Sequence, residues 1–195
     1  MTPKLLLYCT KKLIKNKYHL LRTKNGKYEY DKVILDSDTI LNGKIVAECD
    51  FEVEEIYSCP NYYDNEMFYL TNNCSYFNLL NESCLNETQL EDYLKGKDGY
   101  AIHLKNLIIY DTPRELSDYY HSESPFLPIT KAPQNMMYCN GVIKTNFKLG
   151  DKVFKNVAYQ IENYVLASVK PQWLCKILNG QKTIEIRKKV LKEML

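Results

Sequence analysis

Residues 168–189 read SVKPQWLCKILNGQKTIEIRKK, and their pattern changes period twice within 22 positions. Val165 to Val169 are short, apolar and β-prone, as a buried strand is. Pro171 opens a helix at the position where its missing N–H costs nothing. Trp173, Leu174, Ile177 and Leu178 recur at helical spacing and make one apolar face. Asn179-Gly180 ends the helix. From Lys182 the period becomes two: Ile184 and Ile186 point one way, Glu185 and Arg187 the other. Strand, helix and strand follow one another with almost no loop between them.

Working outward, KLLLYC at 4–9 has the look of a second buried strand. At 44–57, Ile45, Ala47, Cys49, Phe51 and Val53 alternate with polar neighbours, which predicts a long half-buried strand. Asn25-Gly26 sits between HLLRT and KYEYDKVIL, a hairpin signal inside a Lys/Asn/Tyr-rich stretch. Residues 58–86 lack a clean period and are expected to form a loop with one short helix. NETQLEDYLKGKDG, 86–99, carries a capping Asn86, early acids and a glycine stop, and predicts a helix. The strand after it is expected to reach Tyr110 and to turn at Asp111-Thr112-Pro113. Pro125, Pro128 and Pro133 predict irregular chain, and 140–166 predicts a hairpin plus a strand. The sum is an α+β, strand-dominated single domain spanning 1–195, in which a small mixed β-barrel is flanked by two or three short helices.

Composition narrows the function class. The chain has 195 residues, 45% hydrophobic and 26% charged, with a net charge of only +2. It is therefore no polycation, and any attraction to phosphate must come from local patches such as 11–27 and 182–193. No apolar run is long enough to span a bilayer, and the opening segment is too short for a signal-peptide core. A cytoplasmic location is the expectation. Seven cysteines, an odd number without C-x-x-C spacing, are expected as free thiols; no metal or cofactor is expected. P-loop, dinucleotide, zinc-protease and serine-hydrolase motifs do not occur.

Gly180, Lys182, Glu185 and Arg187 reproduce a G-x-K-x-x-E-x-R pattern. In its strand–helix–strand setting this resembles the ASCH domain of the PUA-like β-barrel superfamily, in its phage-associated form. GKIVAECDFEVEEI (43–56), GYAIHLKNLIIYDTPRELSDYY (99–120) and ITKAPQNMMYC (129–139) are similar to further family segments, with Asn135 where the family usually has Ser. The resemblance covers roughly half of the chain. Its order differs: the family's opening unit stands here at 165–189, after the strand it normally precedes. A circular permutation is the expectation, with insertions at about 13–41, 58–86 and 140–164. A truncated second copy, or a hairpin donated to a neighbouring chain, would give the same order.

The resemblance implies binding of RNA or of a modified nucleoside or nucleotide. The alternatives it leaves open are an amidohydrolase acting on an acylated nucleoside, a ribonuclease, and a phage-encoded module that holds a protein partner through its insertions. Left to itself, a Lys–Glu–Arg strand face is ordinary solvated surface; the resemblance makes it a candidate site. Lys182 and Glu185 are then the candidate catalytic pair. Lys182 is expected to reach the cleft and to lose basicity beside Arg187. Lys170, Lys182, Glu185, Arg187, His103 and Gln134 are the candidate ligand contacts, Arg187 through its planar fork. A Thr stands at the place of Glu185 in the cytidine-processing relatives, which weighs against their reaction here.

Overall fold

The computed structural model describes residues 3–11, 18–58, 68–70, 75–149 and 152–195. One nine-stranded sheet dominates it. Strand β1 (Lys4–Cys9) lies at its middle, and every residue after Lys4 is buried. On one side β1 pairs antiparallel with β5 (Ile45–Ser58), which pairs with β7 (Gly99–Arg114), which pairs with β12 (Ile184–Arg187). On the other side β1 pairs in parallel with β11 (Lys152–Val169), which pairs antiparallel with β10 (Met136–Leu149). The short hairpin β8 (Tyr119–His121) and β9 (Ser124–Pro128) continues beyond β10, and β6 (Phe68–Leu70) pairs with the far end of β5.

The strand–helix–strand reading of 165–189 holds. Pro171–Leu178 is helix α3, opened by its proline, and Gly180 turns the chain at a φ of 70°. The two strands flanking α3 sit in the same sheet as β1 and β5 of their own chain. Asn86 caps helix α2 (Glu87–Leu94) through a reciprocal pair of bonds with Gln89. The Asn25-Gly26 hairpin forms too: β2 (His19–Arg22) pairs with β3 (Tyr28–Asp31), and β4 (Thr39–Ile40) adds to β2. This small sheet docks on α3, where Asn179 Nδ2 and Cys175 Sγ both donate to Tyr28 O. The first part of the expected 13–41 insertion, residues 13–17, lies outside the described residues, as do 59–67 and 71–74 of the 58–86 loop. What is described of that loop is β6 and helix α1 (Tyr76–Ser83).

Four expectations need correction. The strand expected to turn at Asp111 runs on to Arg114. Only residues 100–103 pair with β12, so Pro113 lies where β7 has no second neighbour to miss its N–H. The proline-rich stretch after 123 is partly ordered as β9. The hairpin and separate strand expected over 140–166 are one hairpin of two long strands, and β11 runs unbroken into the segment beside β1. On β5, a register shift between Ile45 and Ala47 sends Ile45 to the opposite face from Ala47.

Three apolar clusters fill the structure. The largest lies on the face shared by Leu5, Leu7, Cys9, Ala47, Cys49, Ile102, Val165, Ala167 and Val169, and α3 covers it with Leu174, Ile177 and Leu178. Leu6, Tyr8, Leu166, Tyr110 and Tyr119 form a second cluster on the reverse face. The third joins Ala101, Ile184 and Ile186 to α1 and α2 through Leu79, Leu90 and Leu94.

Candidate functional site

Alternation along β12 places Ile184 and Ile186 against α1 and α2, and Glu185 and Arg187 on the α3 side of the sheet. The predicted two-faced strand is therefore present. Its polar face is not open surface: Lys182 is 3% and Arg187 8% exposed.

Glu185 stands between the two cations. Its Oε1 lies 3.0 Å from Arg187 Nη2, and its Oε2 lies 3.3 Å from Lys182 Nζ. Lys182 Nζ also donates to Ser83 O at 2.8 Å and to Ile184 O at 2.6 Å, so its three protons have three acceptors. The ring of Trp173 covers the ammonium from α3, at 5.5 Å. Arg187 Nη1 donates to Asn135 Oδ1 at 3.0 Å and Nη2 to Ser168 O at 2.7 Å. Asn135 in turn donates to Lys189 O, while its own carbonyl accepts from Ser168 N. Burial lowers the pKa of Lys182, outweighing the opposing pull of Glu185. The expected cause, Arg187, contributes least.

The helix before Lys182 and the strand after it are held by α1. Thr183 N donates to Glu82 O, Thr183 Oγ1 bonds Glu82 Oε2, and Cys84 Sγ donates to Gln181 O. Ser83 and Glu82 belong to the 58–86 stretch, whose lack of period hid them. Asn135 was visible as a substitution in the family pattern, but nothing in its neighbourhood announced a bond to Arg187. Ser168 enters through its main chain, which no side-chain pattern signals.

The other candidates fall in different places. His103 pairs with Ile184 across the ladder, hence on the α1–α2 side, where its Nε2 lies 2.9 Å from the buried Glu54. It does not join Glu185 and Arg187. Gln134 is exposed on the turn beside Asn135 and Lys170 is exposed at the N-cap of α3, so both flank the cluster. Lys188 is exposed next to Arg187, with its ammonium 5.1 Å from the Tyr93 ring. Lys182, expected to swing into a cleft, is instead buried and held by its three acceptors. Among the described residues no group of three or more His, Cys, Asp and Glu side chains is placed to hold a metal ion. Nor is any described helix long and apolar enough to cross a membrane.

Compared with protein-family models, curated proteins and solved structures, the chain matches none. What stands by itself is the class: a mixed α+β protein built mainly on one open mixed sheet, with a largely buried Lys–Glu–Arg cluster where the last strand meets α3.

Proposed function

We propose that the chain binds single-stranded RNA, or a nucleoside or nucleotide derived from it, over the Lys182–Glu185–Arg187 cluster, on a PUA-like barrel of permuted order. The observation that carries the reading is Glu185, held between two buried cations and still partly open to solvent. A carboxylate fixed by partners on both sides keeps lone pairs directed outward, where an exocyclic amine or ring N–H of a base can donate to them. Lys170 and Lys188, both exposed, supply cations for phosphate.

Two further features support the reading. The bond from Arg187 to Ser168 O ties β12 to β11 across the largest core, as the closing of a barrel would require. The parallel pairing of β11 with β1 supplies the junction that a permuted order needs. Binding is favoured over hydrolysis because Lys182 has no free proton to give and no free lone pair while it is charged.

The test is fluorescence anisotropy of a labelled single-stranded RNA across a salt series. Affinity should fall as salt rises, with the log–log slope reduced by about 0.7 in Lys170→Ala and again in Lys188→Ala. Salt-independent binding, or slopes unchanged in both variants, rejects the reading. Titration of cytidine and adenosine against wild type and Glu185→Gln separates base recognition from backbone attraction.

A further inference from the structure

The Lys182–Glu185–Arg187 cluster leaves a definite set of hydrogen-bonding groups unused. Lys182 has none left: its three protons go to Ser83 O, Ile184 O and Glu185 Oε2. Arg187 engages three of its five N–H groups, with Asn135 Oδ1, Ser168 O and Glu185 Oε1. One N–H on Nη1 and the one on Nε remain, and Nε is buried with no hydrogen-bond partner among the described residues. Glu185 gives one oxygen to each cation, Oε1 to Arg187 and Oε2 to Lys182. An ionised carboxylate accepts about four hydrogen bonds, so each oxygen keeps about one acceptor site. The Glu185 side chain is also the most open of the three, at 13% exposed.

Two neighbouring acceptors with no donor between them discriminate among the bases. On its Watson–Crick edge guanine offers N1–H and N2–H side by side, two donors that meet the two oxygens of one carboxylate. Adenine and cytosine offer one donor beside a ring-nitrogen acceptor, whose lone pair would face the second carboxylate oxygen. Uracil offers a single N–H between two carbonyls. Bases splayed from a single strand are read on this edge, and repulsion of the wrong pattern adds to selectivity. The third atom of the guanine edge is the carbonyl O6, next to N1. It is favoured on the flank of Arg187, which keeps N–H groups unused, and finds no free proton on the flank of Lys182.

Resting on the reading of this cluster as a nucleotide site, we infer that it is selective for guanine and that Glu185 is the residue that sets the selectivity. N1–H donates to Oε1, N2–H donates to Oε2, and O6 lies toward Arg187. The two cations already fix the carboxylate in place, so little of its freedom is lost when a base arrives. The attraction of Lys170 and Lys188 for phosphate is common to all four nucleotides and carries no base preference.

The experiment is a titration of the full chain with the 5′-monophosphates of guanosine, inosine, 1-methylguanosine, adenosine, cytidine and uridine, followed by ligand-observed NMR. Guanosine monophosphate should bind about tenfold or more tighter than the adenosine, cytidine and uridine nucleotides. The inosine nucleotide, which lacks the N2 amine, should bind about tenfold more weakly than the guanosine one. The 1-methylguanosine nucleotide, whose methyl replaces the N1 proton, should bind more weakly still. Glu185→Gln turns two acceptors into one acceptor and one donor. It should abolish the guanosine preference and shift it toward adenosine, the base that glutamine pairs with bidentately. Circular dichroism confirms that the variant folds; the ligand series needs wild type alone and decides the question if it does not. Equal binding of the four unmodified nucleotides, equal binding of the guanosine nucleotide and its two analogues, or no binding of any nucleotide overturns the proposal. The salt series with labelled RNA then shows separately whether the reading beneath it stands.

Discussion

Arg187 Nη2 donates to the main-chain carbonyl of Ser168 at 2.7 Å, and this bond fastens the last strand of the sheet to a strand four places away in its ladder. The guanidinium spends its other contacts on Glu185 and Asn135. A residue that looked from its pattern like an outward-facing ligand contact is thus first of all a brace.

Arg187→Lys tests the brace. Lysine keeps the charge but lacks the fork that reaches Glu185, Asn135 and Ser168 together. With the partly buried Glu185 carboxylate losing one of its two partners and the Asn135 and Ser168 acceptors losing theirs, unfolding in urea should show a loss of about 3 kcal/mol. Lys188→Ala, one residue on and exposed, should change stability by less than about 0.5 kcal/mol. Equal effects at the two positions would contradict the geometry.

Lys182→Met separates the cost of burying the ammonium from the value of its bonds. At neutral pH the variant should lose about 3 kcal/mol, since Ser83 O, Ile184 O and Glu185 lose a shared donor. The pKa of Lys182 is lowered in the folded state, so between that pKa and 10.5 the unfolded chain binds more protons. Wild-type stability therefore gains from Lys182 as pH rises through that window, and the variant lacks the gain. The gap between them, read from urea midpoints at neutral and alkaline pH, should widen with pH.

The buried thiols should be inert. Burial pushes Cys9, Cys49 and Cys139 up to about 12, so at neutral pH almost none is thiolate. Iodoacetamide labelling of the native protein, read by mass spectrometry, should leave these three unmodified and react first at partly exposed Cys84 and Cys175 among the described residues. Unfolding in urea should expose all seven cysteines to the reagent.

Gly99→Ala tests how closely α2 approaches β12. A Cβ at this position would stand 2.6 Å from Leu94 Cδ2 and 3.2 Å from Arg187 O. Relieving both contacts moves either the end of α2 or the strand that carries Arg187, at a cost of about 2 kcal/mol. Asn86→Ala, which removes only the cap of α2, should cost about 1 kcal/mol by the same urea measurement. A Gly99→Ala effect no larger than the cap effect would show that the contact yields easily.

The sequence carried the local structure of the C-terminal unit well, because Pro171, Gly180 and the isoleucine alternation each impose a backbone state within a few residues. It also carried β1, β5, α2 and the Asn25-Gly26 hairpin for the same reason. It did not carry the surroundings of the charged cluster. Ser83 and Ser168 meet Lys182 and Arg187 through main-chain carbonyls, which every residue owns and no pattern marks. Nor could alternation alone assign His103 to a side, since that depends on which residue of β12 it faces. The extent of β7 escaped for a related reason: Pro113 signals a break only where a neighbouring strand would need its N–H.

The parallel pairing of β1 with β11 has a consequence in time. Tyr164 follows its partner Lys4 by 160 residues, so on a translating ribosome one edge of β1 waits roughly 10–30 s for its mate. During that interval LLLYC can pair with β5 but presents a bare apolar edge to its surroundings. Synthesis of the last quarter of the chain, rather than of the first, is then the event that protects this strand, and any arrest before residue 164 leaves a nascent protein in need of a chaperone.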